Sequence, residues 1–216
     1  MKKNTYPGKL IAAEGLDGSG KGTQLSLLKN WLEIEGYGTT LLKRKNSPLV
    51  SKTIETAKEE RQLIPITYSL IHAADFSDLM YRQVIPALKS GFIVLFNKYV
   101  YTSLAKDYLR GQDKSWVHKI YDFAIEPDLV LHFKIPLEEA LGRMTQEEKE
   151  NDFYDSGMDI GLSANTTISI KKYQAQLYEQ YELMSKLYNF STVDALKPIE
   201  TQQKVIRDQI KNIIIK

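Results

Sequence analysis

Short apolar runs alternate with longer stretches of mixed polarity along this chain of 216 residues. LIAA, FIVLF and LVLHF are almost unbroken apolar runs, the pattern of strands covered on both faces. They predict strands over Lys9–Ala13, in FIVLF after Gly91, and in LVLHF after Pro127 and Asp128; Thr39–Leu42 and Ser191–Asp194 add two more. Lys21–Glu35 sets Leu25, Leu28, Trp31 and Leu32 on one helical face and stops at Gly36 and Gly38, as a helix C-terminus should. Further helices are predicted over Pro48–Glu60, Ile66–Ser90, Val100–Arg110, Ser115–Ala124, Leu137–Glu148 and Ile168–Tyr188, and from about Pro198 onward. Strands and helices in alternation give an α/β fold: a doubly wound five-stranded parallel sheet with helices on both faces. Its ligand site is expected at the strand C-termini. No repeat and no low-complexity linker divides the chain, so residues 1–216 read as a single domain.

Composition narrows the chemistry. With 29 basic and 27 acidic residues the net charge is only +2, which gives no reason to expect nucleic-acid or membrane partners. There is no cysteine, which removes disulfides, thiolate metal sites and cysteine nucleophiles together and suits a reducing cytoplasm. His72, His118 and His132 have no metal-ligand spacing. The apolar run Leu10–Ala13 is too short for a signal peptide or a membrane span, so a cytoplasmic location is expected.

One motif carries chemistry. In LIAAEGLDGSGKGTQL, Gly15, Gly20 and Lys21 have the GxxxxGK spacing between a predicted strand and a predicted amphipathic helix. Glycines let backbone N–H groups turn onto phosphate oxygens, the helix N-terminus adds its positive end, and the lysine adds a point charge. Gly15, Asp17, Gly18, Ser19, Gly20, Lys21, Gly22 and Thr23 are therefore the expected nucleotide-binding segment. Gly22 stands where many such loops place a Mg²⁺-binding Ser or Thr, as it does in the similar GKGTQ of adenylate kinases. Thr23 then reads as a phosphate hydrogen-bond donor.

With its surroundings, EGLDGSGKGTQ resembles the loop of thymidylate kinases, P-loop nucleoside monophosphate kinases. IPALKSGFIVLFNKYVYTSLA resembles that family's "PAL..G", "DRY" and "S..AY" succession, and EPDLVLHFKIPLEEALGRM its "PDL.L.LDVP...AL.R". YDSGMDIGLSANTTISIKKYQ is similar to a branch with a GMDLGLS-type segment. The resemblance runs from Lys9 to about Asp194. It implies that Asp17 reaches the acceptor sugar, that Lys98 holds the acceptor phosphate, and that Arg143 contacts the adenine side. It also implies a lid over about 151–165, ATP and Mg²⁺ as cofactors, and a homodimer formed through helices that include Ile66–Ser90.

The departures matter as much. The strand end that should read Asp-Arg is Asn97-Lys98, which weakens an indirect Mg²⁺ contact at Asn97 and removes a bidentate phosphate clamp at Lys98. Gly18 follows Asp17 in the loop and no arginine lies between Met144 and Asn165, so neither loop nor lid supplies the arginine expected near the transferred group. His72 and Phe76 occupy the positions that should stack on and read the base; a core reading also stands, with Phe76 as a packing residue and His72 as a satisfied polar neighbour, and it suits Phe76 more than His72. Asp75 and Asp78 read as a solvated or pocket-facing edge, and Thr102 as a contact to the base edge. Lys43–Lys45 is a basic loop at the ligand end of the sheet, the tyrosines of Ile168–Tyr188 suit packing, and Asp152/Asp155 gives no glycosidase signal. The expected activity is ATP-dependent phosphorylation of a deoxynucleoside monophosphate, dTMP above others, with Lys21 and Lys98 catalytic. The alternatives are a catalytically impaired nucleotide-binding protein of the same fold and a kinase for another monophosphate.

Overall fold

The computed structural model describes residues 1–44, 47–144 and 153–214. Five strands, β1 (Lys9–Glu14), β2 (Thr39–Lys43), β3 (Ile93–Asn97), β4 (Leu129–Lys134) and β5 (Ser191–Asp194), form one sheet. Their order is β2-β3-β1-β4-β5, and every pairing is parallel. β1 is central, with Ala13 opposite both Asn97 and Leu131. Leu10, Ile11, Ala12 and Ala13 point alternately to the two faces, and all four are fully buried, so helices cover both sides. The chain leaves β1 toward β2 and β3 on one side and later toward β4 and β5 on the other. The C-terminal end of β1 is thus the switch point at which such sheets bind ligands.

α1 (Lys21–Ile34) buries Leu25, Leu28 and Leu32 as its periodicity demands. α2 (Ser51–Glu59) is followed by α3 (Pro65–Leu79), a π-helical segment (Met80–Val84) and α4 (Ile85–Lys89). The stretch predicted as one helix is therefore interrupted. Pro86 has no N–H for the carbonyl four residues before it, and the ladder widens just ahead of it. α5 (Val100–Leu109), α6 (Lys114–Ile120) and α7 (Leu137–Arg143) come next, and α8 (Thr166–Leu187) and α9 (Ile199–Ile214) close the sequence. Asp113 and Asn165 cap α6 and α8 by accepting from Trp116 N and Ile168 N. The end predicted for α7, Lys45, Lys149, Asp152 and the first two lid positions lie outside the described residues. Asp75 corrects one expectation: it is buried rather than at an edge, and accepts a 3.0 Å bond from Ser47 N.

Candidate active site

The loop between β1 and α1 turns on glycines that cannot be replaced. Gly18 has φ +77°, and a Cβ there would lie 2.2 Å from the carbonyl oxygen of Ala140 in α7. Gly20, at φ +82°, is the last residue before α1, whose N-terminus opens on a cavity of about 770 Å³. Lys21 is buried; its ammonium donates to the carbonyls of Gly15 (2.8 Å) and Leu16 (2.5 Å) and to Ser19 Oγ (3.1 Å). Asp17 through Thr23 line the cavity, and Asn97, Lys98, Thr102 and Arg143 join them from β3, α5 and α7. Six cationic side chains and three carboxylates border the space, a balance suited to polyphosphate.

Asp17 and Lys98 form a 2.5 Å ion pair across this opening. Burial pushes the Asp17 carboxyl up, but Lys98, then Lys21 and Lys106, outweigh it and hold the group well below the usual carboxylate range. Lys98 adopts φ +61°, a left-handed conformation that costs a non-glycine residue about 1 kcal/mol. Its N–H donates 3.0 Å to Ala13 O, which fixes the turn beside the loop. Asn97 faces Gly22, and its buried Oδ1 has no hydrogen-bond partner among the described residues. Arg143, exposed, donates 3.0 Å to Ala195 O and so ties the end of α7 to the loop after β5.

Thr102 is buried, donates 2.6 Å to Glu14 Oε2, and its hydroxyl also meets Tyr181 OH at 2.9 Å. Glu14, the last residue of β1, is wholly buried. Burial pushes its carboxyl from 4.5 up to about 7, against the pull of Thr102 and the Lys21 charge. The two base-reading candidates lie elsewhere. Phe76 is fully buried with its ring 5.1 Å from that of Tyr99 and 5.7 Å from that of Phe96, and His72 is fully buried with its ring 4.3 Å from that of Tyr68. Neither lines the cavity.

The described part of the segment expected to form a lid packs against α2, α3 and α5. Arg110 holds Asp159 through two bonds (2.7 and 3.1 Å), donates to Tyr154 O and Tyr173 OH, and lies 3.8 Å over the Tyr68 ring. Tyr154 OH accepts from Leu63 N at 2.8 Å. Asp155 reaches into the cavity, where it pairs with Lys106 of α5 and, at 3.6 Å, with Lys58 of α2. Sequence reasoning missed Glu14, Lys106, Arg110 and Asp155, and took Arg44, which also borders the cavity, only as part of a basic run. For Lys106 a signal existed: it stands where the "S..AY" resemblance calls for tyrosine.

A phosphate loop at the switch point of a parallel sheet, opposite a second charged pair and beneath a lid segment, defines a P-loop nucleotide phosphotransferase. Comparison with known proteins narrows the class. The thymidylate kinase family model matches residues 13–206. A probable thymidylate kinase 2 of Saccharolobus solfataricus is 39% identical over 201 residues, 93% of this chain and 94% of that protein. A probable thymidylate kinase of Pyrococcus horikoshii is 36% identical over 143 residues, 63% of this chain and 70% of that protein. One from Thermococcus kodakarensis is 26% identical over 214 residues, covering 94% and 98%. The chain belongs to the thymidylate kinase family, phosphotransferases of dTMP, and that membership implies use of ATP.

Proposed function

We propose that the chain, acting as one unit over residues 1–216, transfers the γ-phosphoryl group of ATP to dTMP with Mg²⁺ bound. The observation that supports this most is the meeting of the glycine loop and Lys21 with the Asp17–Lys98 pair in one cavity. In this reading the loop amides cradle the donor phosphates and Lys21 exchanges its loop carbonyls for β- and γ-oxygens. Asp17 orients the acceptor sugar, Lys98 holds the acceptor phosphate, and Arg143 bounds the adenine side. An acceptor phosphate oxygen bonds to the γ-phosphorus as the bridging bond to ADP breaks, giving ADP and dTDP. Positioning and charge neutralisation do the work, since the protein forms no covalent bond. The lid segment excludes water.

Among the described residues no cluster of three or more His, Asp and Glu side chains could hold a metal alone. Asn97 turns its Nδ2 toward Gly22 and leaves Oδ1 buried without a partner among the described residues; with the amide flipped, Oδ1 would be a hard oxygen donor of the kind Mg²⁺ accepts when phosphates and water complete its shell. Bound there, Mg²⁺ would neutralise charge on the donor phosphates. His72 and Phe76 would reach a base only through movement of the α3 side chains, whereas Thr102 lies at the cavity wall. One observation favours binding without transfer: Gly18 has no room for an arginine, and none follows in the lid sequence.

We assign the protein to the cytoplasm as a homodimer that takes small-molecule nucleotides; among the described residues no helix is long and apolar enough to cross a membrane. On α3 and the π segment Ile66, Leu70 and Tyr81 are exposed, an apolar face consistent with pairing, whereas Leu79 and Val84 go into the core. The decisive assay couples ADP release to a panel of nucleoside monophosphates with ATP and Mg²⁺. Release accelerated by dTMP supports the reading, and ATP binding with no monophosphate-dependent release ends it.

A further inference from the structure

Lys106 is a cation that the phosphate loop does not explain. It is 5% exposed, on α5, four residues beyond Thr102, and it borders the same cavity as Asp17 and Lys98. Such a buried charge needs a counter-charge. It takes one from Asp155 of the lid segment, a carboxylate that Lys58 also approaches, at 3.6 Å. The side chains of the trio are 7%, 23% and 12% exposed for Lys106, Asp155 and Lys58, so little water screens them.

The position of this trio is informative. Lys106 borders the same cavity as Lys21 and the Asp17–Lys98 pair, and its charge is among those that hold the Asp17 carboxyl down. Arg110, one turn further along α5, cannot substitute, because its guanidinium is engaged by Asp159, Tyr154 O and Tyr173 OH. Of the two basic residues at this end of α5, Lys106 is the one that borders the cavity.

We propose that Lys106 binds the phosphate of the acceptor nucleotide, and that Asp155 occupies that phosphate's place on Lys106 until the acceptor arrives. An internal carboxylate then serves as a stand-in anion. It keeps the buried lysine compensated, holds the lid segment against α5 and α2, and gives way to a more highly charged group. The proposal rests on the kinase reading of the site and adds to it a residue from outside the loop and the strand end.

Calorimetry on the full chain, with the phosphate loop filled by ADP, tests it. Each nucleoside monophosphate of a panel headed by dTMP is titrated beside its nucleoside, thymidine in the case of dTMP. Lys106→Met should weaken the monophosphate about tenfold or more, the loss expected for a charged hydrogen bond, and leave the nucleoside within about twofold. Lys106→Arg should restore most of the loss. Asp155→Asn should tighten the monophosphate severalfold, since its competitor loses charge, and leave the nucleoside unchanged. Equal loss of monophosphate and nucleoside in Lys106→Met, or weaker monophosphate binding in Asp155→Asn, overturns the proposal while the kinase reading stands. Wild-type protein that binds ADP and no monophosphate overturns both. If Lys106→Met does not fold, as a thermal melt would reveal, the sign of the Asp155→Asn effect decides alone.

Discussion

Glu14 puts an ionisable group at the end of the central strand with no exposure to water, and replacing it by glutamine should change how stability depends on pH. Its carboxyl rises from 4.5 in an exposed chain to about 7 in the fold. Below the lower value both states hold the proton and the group contributes nothing to the slope. Between the two values the unfolded chain has released its proton while the folded one retains it, so stability falls as pH rises. Above the upper value the full cost of an ionised buried carboxylate remains. A shift of about 2.5 units at 1.36 kcal/mol each makes that cost about 3 kcal/mol. Thr102 and Lys21 already offset part of a larger desolvation penalty.

Urea unfolding of wild type and Glu14→Gln at pH 5, 6, 7 and 8 reads this directly. The glutamine loses some hydrogen-bonding quality toward Thr102 at every pH, so the informative quantity is the growth of the difference. From pH 5 to pH 8 it should move in favour of Glu14→Gln by about 2–3 kcal/mol. Asp107, which burial raises to about 6, and His132, which burial lowers to about 4, bend both curves alike and cancel. A difference that stays constant across the range would refute the reasoning. It would mean that Glu14 is solvated or charge-compensated in the fold.

Lys21→Ala should weaken ATP and ADP binding by at least about tenfold, because it removes the buried cation at the loop; equal affinities by calorimetry would contradict the role given to the loop. Asn97→Asp with Lys98→Arg should raise turnover with ATP and dTMP about tenfold, or about 1.4 kcal/mol of barrier, by returning a carboxylate to the Mg²⁺ environment and a bidentate donor to phosphate. Initial rates on proteins shown to be folded check it, and an unchanged rate would place the limit elsewhere. Light scattering at micromolar concentration should give about twice the 24.8 kDa chain mass, and a value near 24.8 kDa would exclude the dimer.

The sheet was legible because its three central strands are buried on both faces, which makes LIAA, FIVLF and LVLHF nearly continuous apolar runs. The glycine loop was legible because its chemistry lies in one short segment. Helix ends were less so: α2 begins at Ser51 rather than Pro48, and the π segment depends on a proline whose effect is felt before its own position. The wall of the cavity was barely legible at all. Asp155 and Lys106 are 49 residues apart in sequence; beyond the departure from tyrosine at Lys106, nothing local marks either as part of a site until the fold brings α5 and the 153–165 segment together. Phe76 shows the opposite problem. Its motif position points to a base, yet Phe96, Tyr99, Tyr121 and Phe123 surround it, since a phenyl ring without a polar atom gains more from that company than from a wet cavity.

Gly18 and Lys106 belong to one physical argument. The carbonyl of Ala140 closes over Gly18 so tightly that a side chain there would displace the backbone of α7, the helix whose last residue, Arg143, bounds the cavity. A loop built this way cannot carry its own arginine unless α7 withdraws, and withdrawal would open the site to water. Positive charge beyond that of Lys21 is then supplied to the cavity by an element that does not touch the loop backbone. α5 meets that requirement, because it starts just after the β3 strand end and runs along the cavity wall, with Thr102 and Lys106 facing the cavity one turn apart. Either cation meets the charge requirement, and a lysine meets it with the smaller rearrangement. Its compact ammonium can exchange one carboxylate for a phosphate oxygen without reorienting a planar fork, and Arg110, one turn on, shows what a guanidinium does here: it becomes a fixed part of the structure.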